Sequence, residues 1–171
     1  MDFFELVERR ESCRAFSKRS IPKDDLERIV EAARLAPSAT NQQPWHFYVI
    51  TDEALRDELS SALQKFNKNA QAFIVIVEDK KRFGVKTLEK LKRQTWTSYD
   101  IGIAASHISL AATELDIGSC ILGWFKASKV KDVLGLDESD KVRLIISLGY
   151  KEEASVRPKT RKSMGEVSTW M

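Results

Sequence analysis

The sequence is short of the residues that mark several protein classes. Its two cysteines, Cys13 and Cys120, lie far apart without a CxxC pair, so no disulfide framework is supported and a reducing, cytoplasmic setting is expected. Its two histidines, His46 and His107, stand alone, and no metal site is expected. Seven glycines and four prolines in 171 residues argue against long disordered segments, and no low-complexity tract or repeat period is visible. No stretch approaches the roughly 18–20 apolar residues of a membrane span, and the opening MDFFELVERRESCRAF has no basic region followed by an apolar one. A soluble, unexported protein without a membrane partner is the expectation. Nor is there an excess of one charge: 28 basic against 25 acidic residues leave +3, too mild and too mixed to imply nucleic acid.

What is present describes one globular domain over residues 1–171, with 43% hydrophobic and 31% charged residues. Phe3, Leu6 and Val7 fall on one side of a helix over 2–9, with Glu5 and Arg9 spaced to pair. Pro22 and the acids Asp24 and Asp25 open a second helix, which is expected to stop before Pro37. The run HFYVI, 46–50, reads as a strand, residues 52–66 as a helix, and the unbroken apolar AFIVIV, 72–77, as a strand buried on both faces. Residues 79–97 are basic and weakly patterned, with a helix expected around 86–93. From Asp100 to Leu115 the chain is apolar nearly all round, which predicts a central buried helix closed by Gly118. Strand, helix and strand over 119–125, 126–134 and 141–148 complete an α+β domain with one sheet of at least four strands.

Three separated motifs carry chemistry. Arg10-Glu11-Ser12-Cys13-Arg14 places two guanidiniums and a hydroxyl at a helix exit; these suit a phosphate, although a solvated basic face has the same composition. Pro37 and Pro44 bracket a loop, Ser38-Ala39-Thr40-Asn41-Gln42-Gln43, of small and amide side chains. Amides both donate and accept, which suits the alternating edge of a flavin; a polar turn satisfying its own backbone is the alternative. Arg157-Pro158-Lys159-Thr160-Arg161-Lys162 gathers four cations, either a frayed end or the far wall of a phosphate site. No aromatic residues interleave with them, which argues against nucleic acid as the partner.

Together RESCRAF, APSATNQQPWHF, the apolar central helix, GSCILGWF and LGY followed by basic residues resemble the nitroreductase family of FMN-dependent flavoproteins, in order along nearly the whole chain. The resemblance implies a nitroreductase-like sandwich: a central mixed or antiparallel sheet flanked by helices, in an intertwined homodimer with FMN at the subunit interface. The tail, about 151–171, would then reach the partner, and a sheet edge would receive its C-terminal segment. Residue by residue, it implies that Arg10, Ser12 and Arg14 hold the phosphate and ribityl end, with Lys159 and Arg161 joining them. Pro37, Ser38, Asn41 and Gln43 would line the ring and ribityl chain, with Gln42 turned elsewhere. Ile121, Leu122 and Gly123 would approach the ring, with the backbone of Gly123 and Trp124 near N5. Core packing is the alternative for Trp124 and Phe125.

No side chain is implied as a nucleophile or other catalytic group. The chemistry is the flavin's: a ping-pong cycle in which NADH or NADPH passes hydride to N5 and a small-molecule electron acceptor then takes its place. Nitroaromatics and quinones are the implied acceptors; an FMN-binding or storage module, and a specialised dehalogenating or flavin-fragmenting member, are the competing readings. The chain departs from the family at Glu11, where many members carry a second arginine, and in the brevity of the segment over 79–97. Glu11 is expected to pair with Arg10 or Arg14, or to face solvent.

Overall fold

The structure is a computed structural model and describes residues 1–79, 96–152 and 157–171. The helix expected around 86–93 lies outside the described residues. Four strands, β1 (Trp45–Ile50), β2 (Ala72–Glu78), β3 (Ile117–Leu122) and β4 (Val142–Tyr150), form one sheet in the order β1-β2-β4-β3. Every pairing among these four strands is antiparallel.

Helices cover both faces. On one side lie α2 (Lys23–Arg34) and α4 (Trp96–Glu114), where Leu26, Ile29, Ile101, Ile108 and their neighbours pack on Ile74, Ile76, Ile146 and Leu148. On the other lie α3 (Glu53–Ser60) and α5 (Ala127–Leu134), where Leu59 and Val130 meet Phe73, Val75 and Ile145. Sandwiched this way, all seven residues of β2 are buried, which is why its sequence does not alternate. The long α4 is likewise apolar around most of its circumference and buries nine residues.

Several expectations are corrected. Gly118 does not close α4; it lies inside β3, and Asp116, at φ 58°, makes the left-handed exit. That strand begins two residues earlier than expected and ends at Leu122, leaving Gly123, Trp124 and Phe125 beyond it. The third helix stops at Ser60 and gives way to a 3-10 turn over Lys65–Asn67. Ser60 and Ser61 turn their hydroxyls back onto the carbonyls of Asp57 and Glu58, where they compete with continuation of the helix. In α1 (Phe3–Arg9), Glu5 closes a capping box with Asp2, and Arg9 pairs with Asp116 rather than with Glu5. No residue of α1 is buried; Phe3, Phe4 and Val7 are all exposed.

Between α1 and α2 the chain lies along the sheet. Ser12 pairs in parallel with Ser119, Cys13 N–H donates to the Ser119 carbonyl at 2.8 Å, and Phe16 bridges Lys151. Two glycines make this possible. Gly118 and Gly149 are register partners on β3 and β4. A Cβ on Gly118 would stand 2.8 Å from Cys13 Sγ, and one on Gly149 would stand 2.8 Å from Phe16 Cδ1. Cys13 and Phe16 therefore fill a floor that only glycines leave open. Cys13 is buried there, while Ser12 beside it is half-buried and Arg14 is exposed.

Candidate functional site

The first and third motifs, nearly 150 positions apart, meet. Arg10, Glu11, Ser12 and Arg14 line a cavity of about 320 Å³ together with Arg157, Pro158, Lys159, Thr160 and Arg161. Arg10 caps the end of α1, Ser12 is held by its bridge to β3, and Arg14 is exposed with its guanidinium 5.8 Å from the Phe66 ring. Arg157 was not among the expected site residues; its place in the cation run was the available signal.

Glu11 pairs with neither Arg10 nor Arg14. Its Oε1 accepts from Lys151 Nζ at 2.8 Å and its Oε2 from Arg157 Nε at 3.0 Å. Burial pushes its carboxyl up, but the hydrogen bonds from Lys151 and Arg157 outweigh that and bring its pKa down to about 2. Burial pushes the Lys159 ammonium down, and Arg10 and Arg161 push the same way. The cluster therefore favours an added anion. Both thiols are buried, and burial pushes Cys13 and Cys120 up despite the lowering effect of nearby cations, Lys151 on Cys13 and Arg14 on Cys120.

The amide loop is backbone-strained. Thr40, Asn41 and Gln43 have φ of 52°, 55° and 48°, a region costing most non-glycine residues about 1–2 kcal/mol each, and asparagine less. Ser38 Oγ accepts from the Gln43 N–H at 2.9 Å, Gln43 Nε2 donates to the Asn41 carbonyl and to Asn41 Oδ1 at 3.2 Å, and the Ala39 N–H donates to Asp100 Oδ1 at 3.1 Å. Asp100 is a buried carboxylate near the start of α4, and its Oδ2 has no hydrogen-bond partner among the described residues. The sequence hinted at it only as an acid in an apolar helix. Pro37, Asn41 and Gln43 are exposed and Gln42 is half-buried, while the buried Pro44 and Trp45 tie the loop to β1.

At the end of β3, Leu122 is buried in the core, while Ile121 is 40% and Trp124 82% exposed, so Trp124 is not a core residue. Phe125 packs against the core. Around Gly123 a Cβ would meet nothing nearer than Leu144 Cδ2 at 4.0 Å, leaving the backbone open to a flat ligand.

These pieces do not share one corner. Ser119, beside Ser12, is level with Leu148 of β4 and thus with Ala72 of β2, whereas the amide loop enters β1 at Trp45, level with Glu78. Basic cavity and amide loop therefore sit at opposite edges and opposite ends of the sheet, on the order of 25 Å apart at 4.8 Å per strand and 3.3 Å per residue. Gly123 is four residues along β3 from Ser119, about 13 Å by the same spacing. Among the described residues no His, Cys, Asp and Glu group suited to a metal ion occurs, and no helix is long and apolar enough to cross a membrane.

A sequence model described as "Nitroreductase family" matches two overlapping segments, residues 7–79 and 62–150. An Archaeoglobus fulgidus protein with the provisional name NADH dehydrogenase/NAD(P)H nitroreductase is 36% identical over 86% of this chain and 84% of its own. The crystal structure of a nitroreductase family protein from Clostridium difficile superposes with a TM-score of 0.83 at 28% identity, covering 99% of this chain and 98% of that one. An FMN-dependent nitroreductase from the same species superposes with a TM-score of 0.75 at 29% identity, covering 96% and 94%.

Proposed function

The chain belongs to the nitroreductase family, and from that premise we propose that it is an FMN-dependent oxidoreductase passing electrons from NADH or NADPH to nitroaromatics, quinones or related small acceptors. The observation that carries the reading is the meeting of Arg10, Ser12 and Arg14 with Arg157, Lys159 and Arg161 around one cavity. A phosphomonoester carries about −1.5 to −2 charges near neutral pH, and this donor set fits it.

In this reading Arg10, Arg14, Lys159 and Arg161 bind the phosphate, Ser12 adds a neutral donor, and the ligand runs along β3 to the open backbone at Gly123 and Trp124. The redox chemistry itself is what bound FMN supplies. The protein binds and orients the ring and leaves one face for nicotinamide and acceptor in turn, so that Ile121 and the exposed Trp124 border the substrate space. The strained amide loop offers Asn41 and Gln43 to the ring edge, with Pro37 and Ser38 beside the ribityl chain.

That loop stands too far from the basic cavity of its own chain for one FMN to reach both. The amides facing each flavin therefore come from a second copy, and the site is composite. The exposed apolar residues of α1, with Tyr99, Ile103, Met164, Val167 and Trp170, supply the surface for such a homodimer.

Stopped-flow reduction with each nicotinamide cofactor, followed by menadione or a nitrofuran, tests the proposal. Reduction and reoxidation through all cycles are expected; bound flavin that neither cofactor reduces would instead make the protein a flavin-binding module.

A further inference from the structure

Among the described residues that line the cavity the one acid is Glu11, which is unexpected beside a phosphate. Coulomb's law alone makes it a penalty, and its removal should then tighten binding of an anion. The contacts say otherwise. Among the described residues, the hydrogen bonds from 157–161 to the body of the protein all end on residues 8–12: Arg157 on Glu11 and on the Ser12 carbonyl, Lys159 on the carbonyls of Glu8 and Arg10. Of these acceptors only Glu11 carries a full charge. It also joins the tail to the sheet, because its other oxygen holds Lys151 just beyond β4. The Glu11 side chain is 11% exposed, whereas that of Arg157 is 58% exposed, so the tail residue is the movable partner. Without the carboxylate, Arg10, Arg14, Arg157, Lys159 and Arg161 would face one another uncompensated, and the tail would swing to solvent.

We propose that Glu11 is a positioning residue that clamps the basic tail over the cavity, and that it thereby tightens binding of a phosphomonoester although its own charge opposes one. The inference rests on the flavin reading above for its ligand. The clamp orders the tail before the ligand arrives, so that the entropy of ordering is not charged against binding. Glu11 touches neither ring nor acceptor; it acts through Arg157 and Lys151.

The test pairs two readouts on wild type, Glu11→Gln and Glu11→Asp. FMN and riboflavin are titrated separately by flavin fluorescence quenching, and ligand-free protein is digested with trypsin, scoring cleavage after Lys159 and Arg161. Glu11→Gln is expected to weaken FMN by about tenfold or more while riboflavin, which lacks the phosphate, changes less than about twofold. Tail cleavage should quicken several-fold, and Glu11→Asp, which keeps the charge, should recover most of both losses. Unchanged or tighter FMN binding by Glu11→Gln overturns the proposal, as does a parallel loss of both ligands or unchanged cleavage. Should Glu11→Gln fail to fold, Arg157→Gln breaks the same pair from the exposed side, and its tail must be cleaved faster than wild type. A wild type that takes up no FMN would overturn the flavin reading and the ligand half of this inference, while the cleavage comparison still decides the clamp.

Discussion

Single residues in the amide loop are held in a conformation they do not favour, and that alters how they should be tested. Alanine at Asn41 would remove the amide and also worsen the backbone, since φ is 55° there. Glycine removes the amide without adding strain at this φ. Asn41→Gly is expected to weaken FMN by about 0.5–1.5 kcal/mol, a two- to tenfold loss, with Gln42→Ala near neutral in equilibrium dialysis. Asp100 works one step back. Asp100→Ala strands the Ala39 N–H, and a loss of about 1–3 kcal/mol in chemical denaturation is expected together with weaker flavin retention, while Asp100→Asn keeps the acceptor and much of both. Glu11 carries a pH signature. Its folded pKa is depressed, so its contribution is complete above the ordinary value of 4.5 and disappears as pH falls toward 2. The melting-temperature gap between wild type and Glu11→Gln should therefore hold steady at neutral pH and shrink below about pH 4.5. Neither the Asp100 contact, across 61 positions, nor the Glu11 pairs, across 140 and 146, has a local pattern in the sequence.

Elements were more legible than their ends. The strands β1 and β2, the helix α2 and the buried α4 are visible because each rests on a local pattern that the packing reinforces. Their boundaries were missed where a side chain or a single dihedral decides them: the serine hydroxyls after α3, and Asp116 in place of Gly118 after α4. Gly118 instead belongs with Gly149 to the floor beneath residues 13–16, a pairing that only the β3-β4 register reveals. Gly149→Ala puts a methyl 2.8–3.1 Å from Phe16. Overpacking of that kind typically costs about 1–3 kcal/mol, and because the displaced segment carries Ser12 and Arg14, flavin affinity should fall with stability. A Gly149→Ala variant that melts lower but binds FMN as tightly as wild type would show that the floor does not position the site.

At the scale of the whole molecule, the sheet separates the basic cavity from the amide loop, so the two motifs of a single chain do not face each other. A composite site makes a specific prediction for mixed dimers. When a subunit carrying Asn41→Gly is paired with one carrying Arg14→Ala, one site receives both defects and the other neither. Differentially tagged heterodimers should then bind one FMN per pair with wild-type affinity, although both sites of each parent homodimer are weakened; a site confined to one chain would leave neither site of the heterodimer at wild-type affinity. The sequence disclosed the three motifs and their order, but not their separation across the sheet, because that distance is set by the strand order β1-β2-β4-β3 and not by spacing along the chain. Whether this fold holds a flavin and exchanges electrons with a nicotinamide is read from the visible absorption spectrum of the purified protein before and after NADH or NADPH is added without oxygen. A yellow protein that bleaches is expected; a colourless protein that takes up no added FMN would mean that the fold holds no flavin.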